Sequence, residues 1–490
     1  MSIRVWRRLA ALFLAVLFVG LSPAWAAAQT RQPAARSAAA DTAAIGTSPA
    51  AVDAFVAAQM KARRIPGLSV AVLRNGEIVF ARGYGLANVE HQAPATAATM
   101  YQLASVTKQF TATAVMMLVE DGTLTLATPL RSVLPDVPDA WAGVTIAQLL
   151  NHTSGIPSYT SLPDFGTMMR RDFAPAELIA LVRDRPMDFA PGAKWRYNNS
   201  GYVLLGMIVE KIAGQPWGTF LDTRIFTPTG MATARVNDLR AIVPHRAQGY
   251  AWTSGTLQHG DYVSPTQPYA AGAMLVSVLD LAKWDQALVK RPLLSPASLA
   301  AMYQPAPLAD GTSHPYGFGW DVGPYRGHAR YGHGGGIPGF STYYARLIDD
   351  TLSVIVLANE GSGAAERIAN GIAEVYEPAL RDAAPGPIPD TNPTQSAFLR
   401  SVITTMGTGT GDKTWFTPDA QAFFFPDRIK EGTYRIGGFG ALRAFDLMED
   451  STTDKGRVRA YLAAFEGIGL RCTFTLAPDG KIAGIGLRLE

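Results

Sequence analysis

The sequence predicts an α/β domain in which one antiparallel sheet, flanked by helices, takes strands from both ends of the domain and accommodates a mostly helical insertion between them. A small α+β domain follows. Two apolar runs flanking Asn75-Gly76 mark an early antiparallel hairpin, and two more strand-like runs flank Asp349-Asp350. Between these pairs, helical segments alternate with Pro- and Gly-rich loops.

The N-terminus stands apart in composition. Arg4, Arg7 and Arg8 precede an apolar run from Leu9 to Gly20 and then small residues around Ala24 to Ala28. This order predicts a secretory signal peptide over residues 1–28, cleaved near Ala26 or Ala28. Its apolar core is too short to span a bilayer, and no later stretch reaches about 20 uninterrupted apolar residues, so no transmembrane anchor is expected after signal removal. The formal charge of +3 belongs to this segment, because losing three arginines and no acids leaves 0. The remainder has no basic excess to attract nucleic acid. Cys472 is the only cysteine, which excludes an intrachain disulfide and fits export to a bacterial periplasm. At 490 residues, 48% hydrophobic and 17% charged, the chain reads as globular with two or three domains. The oligomeric state is left open.

Residues 29–48, rich in Ala, Gln, Thr and Ser, read as a disordered tether. The main domain is expected over residues 49–380. Val52, Phe55, Val56 and Met60 have helical spacing; the hairpin around Asn75-Gly76 comes next. Tyr101-Gln-Leu-Ala-Ser105-Val-Thr-Lys108-Gln-Phe110 opens a helix whose apolar positions Val115, Met117 and Leu118 predict burial on several sides, with Gly122 at its stop. Further helices are expected over Val144–Leu150, Tyr202–Ala213 and Ser277–Leu288, strands over Phe340–Arg346 and Leu352–Ala358, and a last helix over Ala364–Tyr376. Residues 381–393, with Pro385, Pro387, Pro389 and Pro393, read as a linker. Residues 394–490 combine one helix (Phe398–Met406) with strands at Val458–Phe465, Leu470–Leu476 and Ile485–Leu489. No catalytic constellation is visible there.

Three short strings carry chemistry. Ser105 and Lys108, three apart, share one face of a helical turn; a lysine that is partly desolvated can be neutral enough to take a serine's proton. Most such pairs are solvated helix faces, so the remaining partners decide. Tyr197-Asn198-Asn199 sits in a loop before the Tyr202 helix, where phenol and amide groups can point into a cleft. His333-Gly334-Gly335-Gly336 precedes the penultimate strand, and its glycines let a substrate approach backbone amides as an oxyanion site requires. The bland readings are surface or packing residues for the Tyr197 string and a tight turn with a packed histidine for the His333 string. His328 and His333 lack any His-Glu-x-x-His pattern, so neither metal nor cofactor is expected. Asp164 and Glu177 show no pairing suited to glycoside hydrolysis, and Tyr159, Trp217 and Trp320 read as core.

Taken in this order, the strings resemble the serine β-lactamase and penicillin-binding-protein superfamily, specifically its class C-like serine hydrolases: class C β-lactamases, D-alanyl-D-alanine carboxypeptidases, D-aminopeptidases and certain esterases. The resemblance covers about residues 50–378 and extends to Leu149-Leu-Asn-His152-Thr-Ser-Gly-Ile-Pro157, Gly272 to Trp284 and Tyr316-Gly-Phe-Gly-Trp320. It implies a β-lactamase/transpeptidase-like fold, with Ser105 as nucleophile of an acyl-enzyme and Lys108 within hydrogen-bond reach. It implies that Tyr197 shares the general-base role, its phenolate favoured by the nearby lysine, and protonates the leaving group. Asn199 would orient the substrate amide and Lys108; the amides of Ser105 and Gly336 would form the oxyanion hole, with Gly335 permitting close approach. The chain departs from the β-lactamase pattern at His333, where those enzymes carry the lysine of Lys-Thr-Gly. A histidine is shorter and mostly neutral at pH 7, as in D-aminopeptidases and esterase-like relatives. The expectation is therefore a serine hydrolase acting on small amides, esters or short peptides. The alternatives are a β-lactamase or DD-carboxypeptidase acting on β-lactams or peptidoglycan peptides, and a non-catalytic cell-wall or partner-binding protein.

Overall fold

Asn75 and Gly76 both take positive φ, 52° and 72°, the backbone that a two-residue hairpin turn requires. In the computed structural model, which describes residues 49–489 except 254, 291–292, 362–363, 382–385, 427, 433–435, 455 and 466–467, they join β1 (Gly67–Arg74) to β2 (Glu77–Asn88). Helix α1 (Pro49–Arg63) precedes this hairpin. The signal peptide and tether expected over residues 1–48 lie outside the described residues.

The other large elements of the main domain are α2 (Thr107–Glu120), α3 (Asn199–Ala213), α4 (Val278–Lys290), β3 (Arg330–Ile337), β4 (Phe340–Leu347), β5 (Leu352–Ala358) and α5 (Ala365–Tyr376). The sheet runs β3-β4-β5-β1-β2 with the two-residue strand Ala93–Pro94 on its far edge, antiparallel throughout. Three strands, not two, follow the helical insertion: the glycine-rich string at His333 is itself an edge strand, paired residue for residue with β4. Its glycines hid the alternation that marks a strand.

β1 is buried on both faces, which explains its continuous apolar run. Leu68, Val70 and Val72 pack with Val52 and Val56 of α1 and Ile368 and Ile372 of α5. Ala71 and Leu73 face the other way, into the cluster containing Phe110 and Val115 of α2, Leu204 of α3 and Trp284 of α4. Each such side chain taken fully from water contributes about 1.5–3 kcal/mol. Helix α2 is buried from Thr107 to Leu118, so its polar side chains need partners. Thr111 Oγ1 donates to the Ala270 carbonyl at 2.7 Å, and Gln109 Oε1 accepts from Trp284 Nε1 at 3.2 Å. The nucleophile candidate thus rides on a helix held rigidly inside the domain.

The C-terminal residues form α6 (Pro393–Gly407), a short helix over Pro418–Phe424, and a four-stranded antiparallel sheet, β6 (Ala444–Thr453), β7 (Gly456–Phe465), β8 (Ile468–Leu476) and β9 (Ile482–Leu489), in that order. Strand β6 escapes sequence reasoning because it is largely polar and a register shift between Leu447 and Glu449 breaks its alternation. Leu399 and Ile403 of α6 pack on Tyr461, Cys472 and Phe474, and Ala62 of α1 joins the same cluster. Of the proline-rich stretch, the end nearest α6 is pinned, not free. Ile388 N–H donates to the Leu447 carbonyl at 2.8 Å, and the fully buried Arg459 reaches Asp390 at 2.5 Å and Asp450 at 3.2 Å. Among the described residues no helix is long and apolar enough to cross a membrane.

Candidate active site

Ser105 lies in a single 3₁₀ turn, Ala104–Val106, that leads directly into α2. Ala104 has φ of 51°, a left-handed conformation costing about 1–2 kcal/mol for a residue with a Cβ. It sets Ser105 at the head of α2, where the helix N-terminus favours developing negative charge. The turn is packed against β3 and β4. A Cβ on Gly335 would lie 2.2 Å from Thr342 Oγ1 and 2.4 Å from the Leu103 carbonyl, so only glycine lets the edge strand come this close. At Gly336 an added Cβ would meet nothing within 4 Å, leaving its backbone open to the cleft.

Lys108 is fully buried. Its Nζ lies 3.2 Å from Ser105 Oγ, 2.8 Å from Asn199 Oδ1 and 2.8 Å from the Ala271 carbonyl. Burial holds its pKa well below the ordinary 10.5. A neutral amine has two N–H groups and one lone pair. The two 2.8 Å partners are oxygens that only accept, so in the neutral form they take the N–H groups and leave the lone pair for the Ser105 hydroxyl.

Asn199 is the first residue of α3, not part of the loop before it, and Asn198 caps the helix by accepting from Gly201 N–H at 2.9 Å. This places the Asn199 amide between Lys108 and Thr160, whose Oγ1 accepts from Nδ2 at 3.0 Å. The Tyr197 ring lies 4.8 Å from Lys108 Nζ, and its buried hydroxyl has no hydrogen-bond partner among the described residues. Burial pushes the phenol well above its ordinary 10.0, and the neighbouring Ser105 hydroxyl only partly opposes this. The resting group is a phenol, which corrects the expectation of a lysine-favoured phenolate: desolvation dominates at this ring, and burial of Lys108 disfavours the charge that would oppose it.

His333 is buried on β3. Its Nδ1 lies 2.6 Å from the Gly334 carbonyl, which can only accept, so Nδ1 carries the hydrogen and Nε2 accepts from the Tyr316 hydroxyl at 2.9 Å. Desolvation, then the Lys108 charge, pushes its pKa down to about 3. Behind Tyr197 stands a second buried ring, His152, 4.4 Å away, whose Nδ1 accepts from Asn198 N–H at 3.2 Å. Among the described residues no three His, Cys, Asp or Glu side chains converge to hold a metal ion; His328 pairs with Asp350 at 2.9 Å. Trp217 and Trp320 are core, whereas Tyr159 is both buried and part of the cleft wall.

The structure therefore brings Ser105, Lys108, Tyr197, Asn199, Gly335 and Gly336 around one cleft, with His333 against Tyr316 at its edge. Sequence reasoning missed the Ala271 carbonyl, a backbone atom with no side-chain signature, and the tie from Tyr316 to His333.

The sequence profile of the β-lactamase family matches residues 52–376. The chain belongs to the β-lactamase family. A penicillin-binding protein of Bacillus subtilis (strain 168) is 32% identical over 308 residues, spanning 60% of this chain and 68% of that one. A D-aminopeptidase of Gluconobacter oxydans (strain 621H) is 28% identical over 322 residues, spanning 64% and 60%. The D-amino acid amidase of Ochrobactrum anthropi SV3, solved with L-phenylalanine, superposes with a TM-score of 0.58 at 26% identity over 66% of this chain and 96% of its own. This β-lactamase-family chain is a serine hydrolase.

The buried rings give this β-lactamase-family protein a defined acid sensitivity. His152 and His333 stay neutral in the native state, while in the unfolded chain each takes up a proton below about 6.5. Stability must therefore fall as pH drops below 6.5, for His333 by about 1.4 kcal/mol per pH unit until its folded value of about 3 is reached, with His152 acting in the same direction. Asp321, raised to about 7 by burial and then by Glu366, acts in the opposite sense, so the check compares slopes. Urea unfolding between pH 6.5 and 4 is expected to lose stability less steeply in His333→Gln than in the wild type; equal slopes would contradict the neutral buried ring.

Proposed function

We propose that this serine hydrolase cleaves small amides or esters through an acyl-enzyme on Ser105. The observation that supports this best is the buried Lys108, whose Nζ lies 3.2 Å from Ser105 Oγ and 2.8 Å from both Asn199 Oδ1 and the Ala271 carbonyl, with its pKa held well below the ordinary lysine range by burial. Ser105 Oγ attacks the substrate carbonyl carbon and its proton passes to Lys108 Nζ. The oxyanion is held by the N–H groups of Ser105 and Gly336. Tyr197, a phenol at rest beside the Ser105 hydroxyl, protonates the leaving nitrogen or oxygen, and its phenolate is reprotonated through Lys108. Water then enters, gives up a proton to the same pair and releases the acid. Asn199 keeps Lys108 in register and offers its amide edge to the substrate.

His333 argues against β-lactams and peptides with a free carboxylate as main substrates. It is neutral, and Tyr316 occupies its outer nitrogen, so it offers no cation to such a group. A non-catalytic binding protein would have no use for a desolvated lysine beside a serine. The N-terminal basic, apolar and small-residue segments support export to a bacterial periplasm, with a mature N-terminus near residue 27 or 29.

Intact-mass measurement after incubation with a fluorophosphonate tests the hydrolase reading. One covalent adduct per chain, mapped to Ser105, is expected; no adduct on the wild-type protein would reject it.

A further inference from the structure

The cleft beside Ser105 has a volume of about 220 Å³, and among the described residues no charged side chain lines it. Its walls are apolar: Phe165 and Met169 on one side, Val263 on another, Ile337 and Pro338 from the end of β3. Away from Ser105 and Asn199, the polar side chains Thr160 and Gln267 are already engaged. Thr160 Oγ1 accepts from Asn199 and shares a hydrogen with Ser158 Oγ at 3.0 Å. Gln267 is buried, and its Nε2 donates to the carbonyls of Met168 at 2.5 Å and Arg171 at 2.8 Å.

Those same bonds make the pocket a built object. The segment carrying Phe165 and Met169 and the segment carrying Val263 are stitched together at several points besides Gln267. Ser264 N–H donates to the Met169 carbonyl at 2.8 Å, Phe173 N–H to Thr266 Oγ1 at 3.0 Å, and the Tyr159 hydroxyl to the Gln267 carbonyl at 2.5 Å. The apolar walls are thus fixed before substrate arrives. A cavity of about 150 Å³ takes up benzene, so this one has room for a phenyl or branched aliphatic group.

We propose that this pocket receives an uncharged, apolar group on the acyl side of the scissile bond, and that Phe165, Met169 and Val263 set its size. This rests on the acyl-enzyme reading of Ser105. A carboxylate seated among Phe165, Met169 and Val263 would lose its water and find no cation on those walls in return, whereas each methylene seated against them gains by leaving water.

The test compares p-nitrophenyl acetate, butyrate and heptanoate with the p-nitrophenyl monoester of adipic acid, which is similar in length to heptanoate but anionic. From acetate to butyrate kcat/KM should rise by about fifteenfold, near fourfold per methylene. Heptanoate should exceed the adipate monoester by at least about thirtyfold. Met169→Lys should cut that ratio by at least about tenfold, because it supplies the missing cation. Phe165→Ala, which adds no charge, should shift the preferred chain length upward, and serves if the lysine is not tolerated. Turnover of all four esters with equal or inverted preference would overturn this inference and leave the hydrolase reading intact. No turnover of any ester together with no fluorophosphonate adduct would overturn both.

Discussion

Replacing Ser105 with alanine is expected to remove the fluorophosphonate adduct and lower ester hydrolysis by at least about a thousandfold, while leaving the folded protein unchanged. The size follows from the acyl-enzyme: without the hydroxyl no covalent intermediate forms, and only binding and oxyanion stabilisation remain. The structural cost is small. Ser105 is partly exposed at the cleft and its known tie is the 3.2 Å contact with Lys108, which keeps two other partners. The backbone strain sits one residue earlier, at Ala104, and alanine at 105 does not alter it. Thermal or urea unfolding should therefore coincide with the wild type, so that lost activity cannot be ascribed to lost fold. Hydrolysis within about tenfold of the wild type would mean that another group attacks the substrate.

The parts of this site that were legible in the sequence are those written in local spacing. Ser105 and Lys108 declare themselves because three residues span about one helical turn. Asn75-Gly76 declares a hairpin because few other dipeptides accept two positive φ values at once. What was not legible depends on distance or on burial. The carbonyl of Ala271 reaches Lys108 across 163 positions and has no residue type to betray it. The string His333 to Gly336 is a strand whose Gly335 is demanded by Thr342 and the Leu103 carbonyl, so at that position its sequence records a close approach in place of an alternation. The protonation states were hidden for the same reason. The neighbourhood of a lysine favours a phenolate only if the lysine is charged, and burial, which no motif encodes, disfavours the charge on Lys108 and keeps Tyr197 protonated. His333, by contrast, announced its departure from the β-lactamase pattern by identity alone, and its geometry gives that departure a physical content: a neutral ring facing Tyr316.

Lys108→Ala should lower kcat/KM by about a hundredfold to ten-thousandfold, the range that a positioned general base supplies. Two readouts separate a base from a merely structural lysine. The first is the pH profile of the wild type: a base acts when unprotonated, so activity should rise with pH through the pKa of Lys108 and then level. Burial places that limb well below the ordinary 10.5, and His333, pushed down to about 3, should add no limb near 6.5. The second is rescue. Truncation to alanine opens space beside Ser105 and leaves Asn199 Oδ1 and the Ala271 carbonyl as two acceptors waiting for an amine. Methylamine should restore part of the activity of Lys108→Ala, with a dependence on the neutral amine and not on total ionic strength, and should do nothing for Ser105→Ala. His333→Ala should lose much less, because its ring holds Tyr316 and is not given a proton to carry. If Lys108→Ala falls no further than His333→Ala, or if added amine acts only as salt does, then Lys108 is a packing element and the proton of Ser105 goes elsewhere, with Tyr197 as the group next in reach.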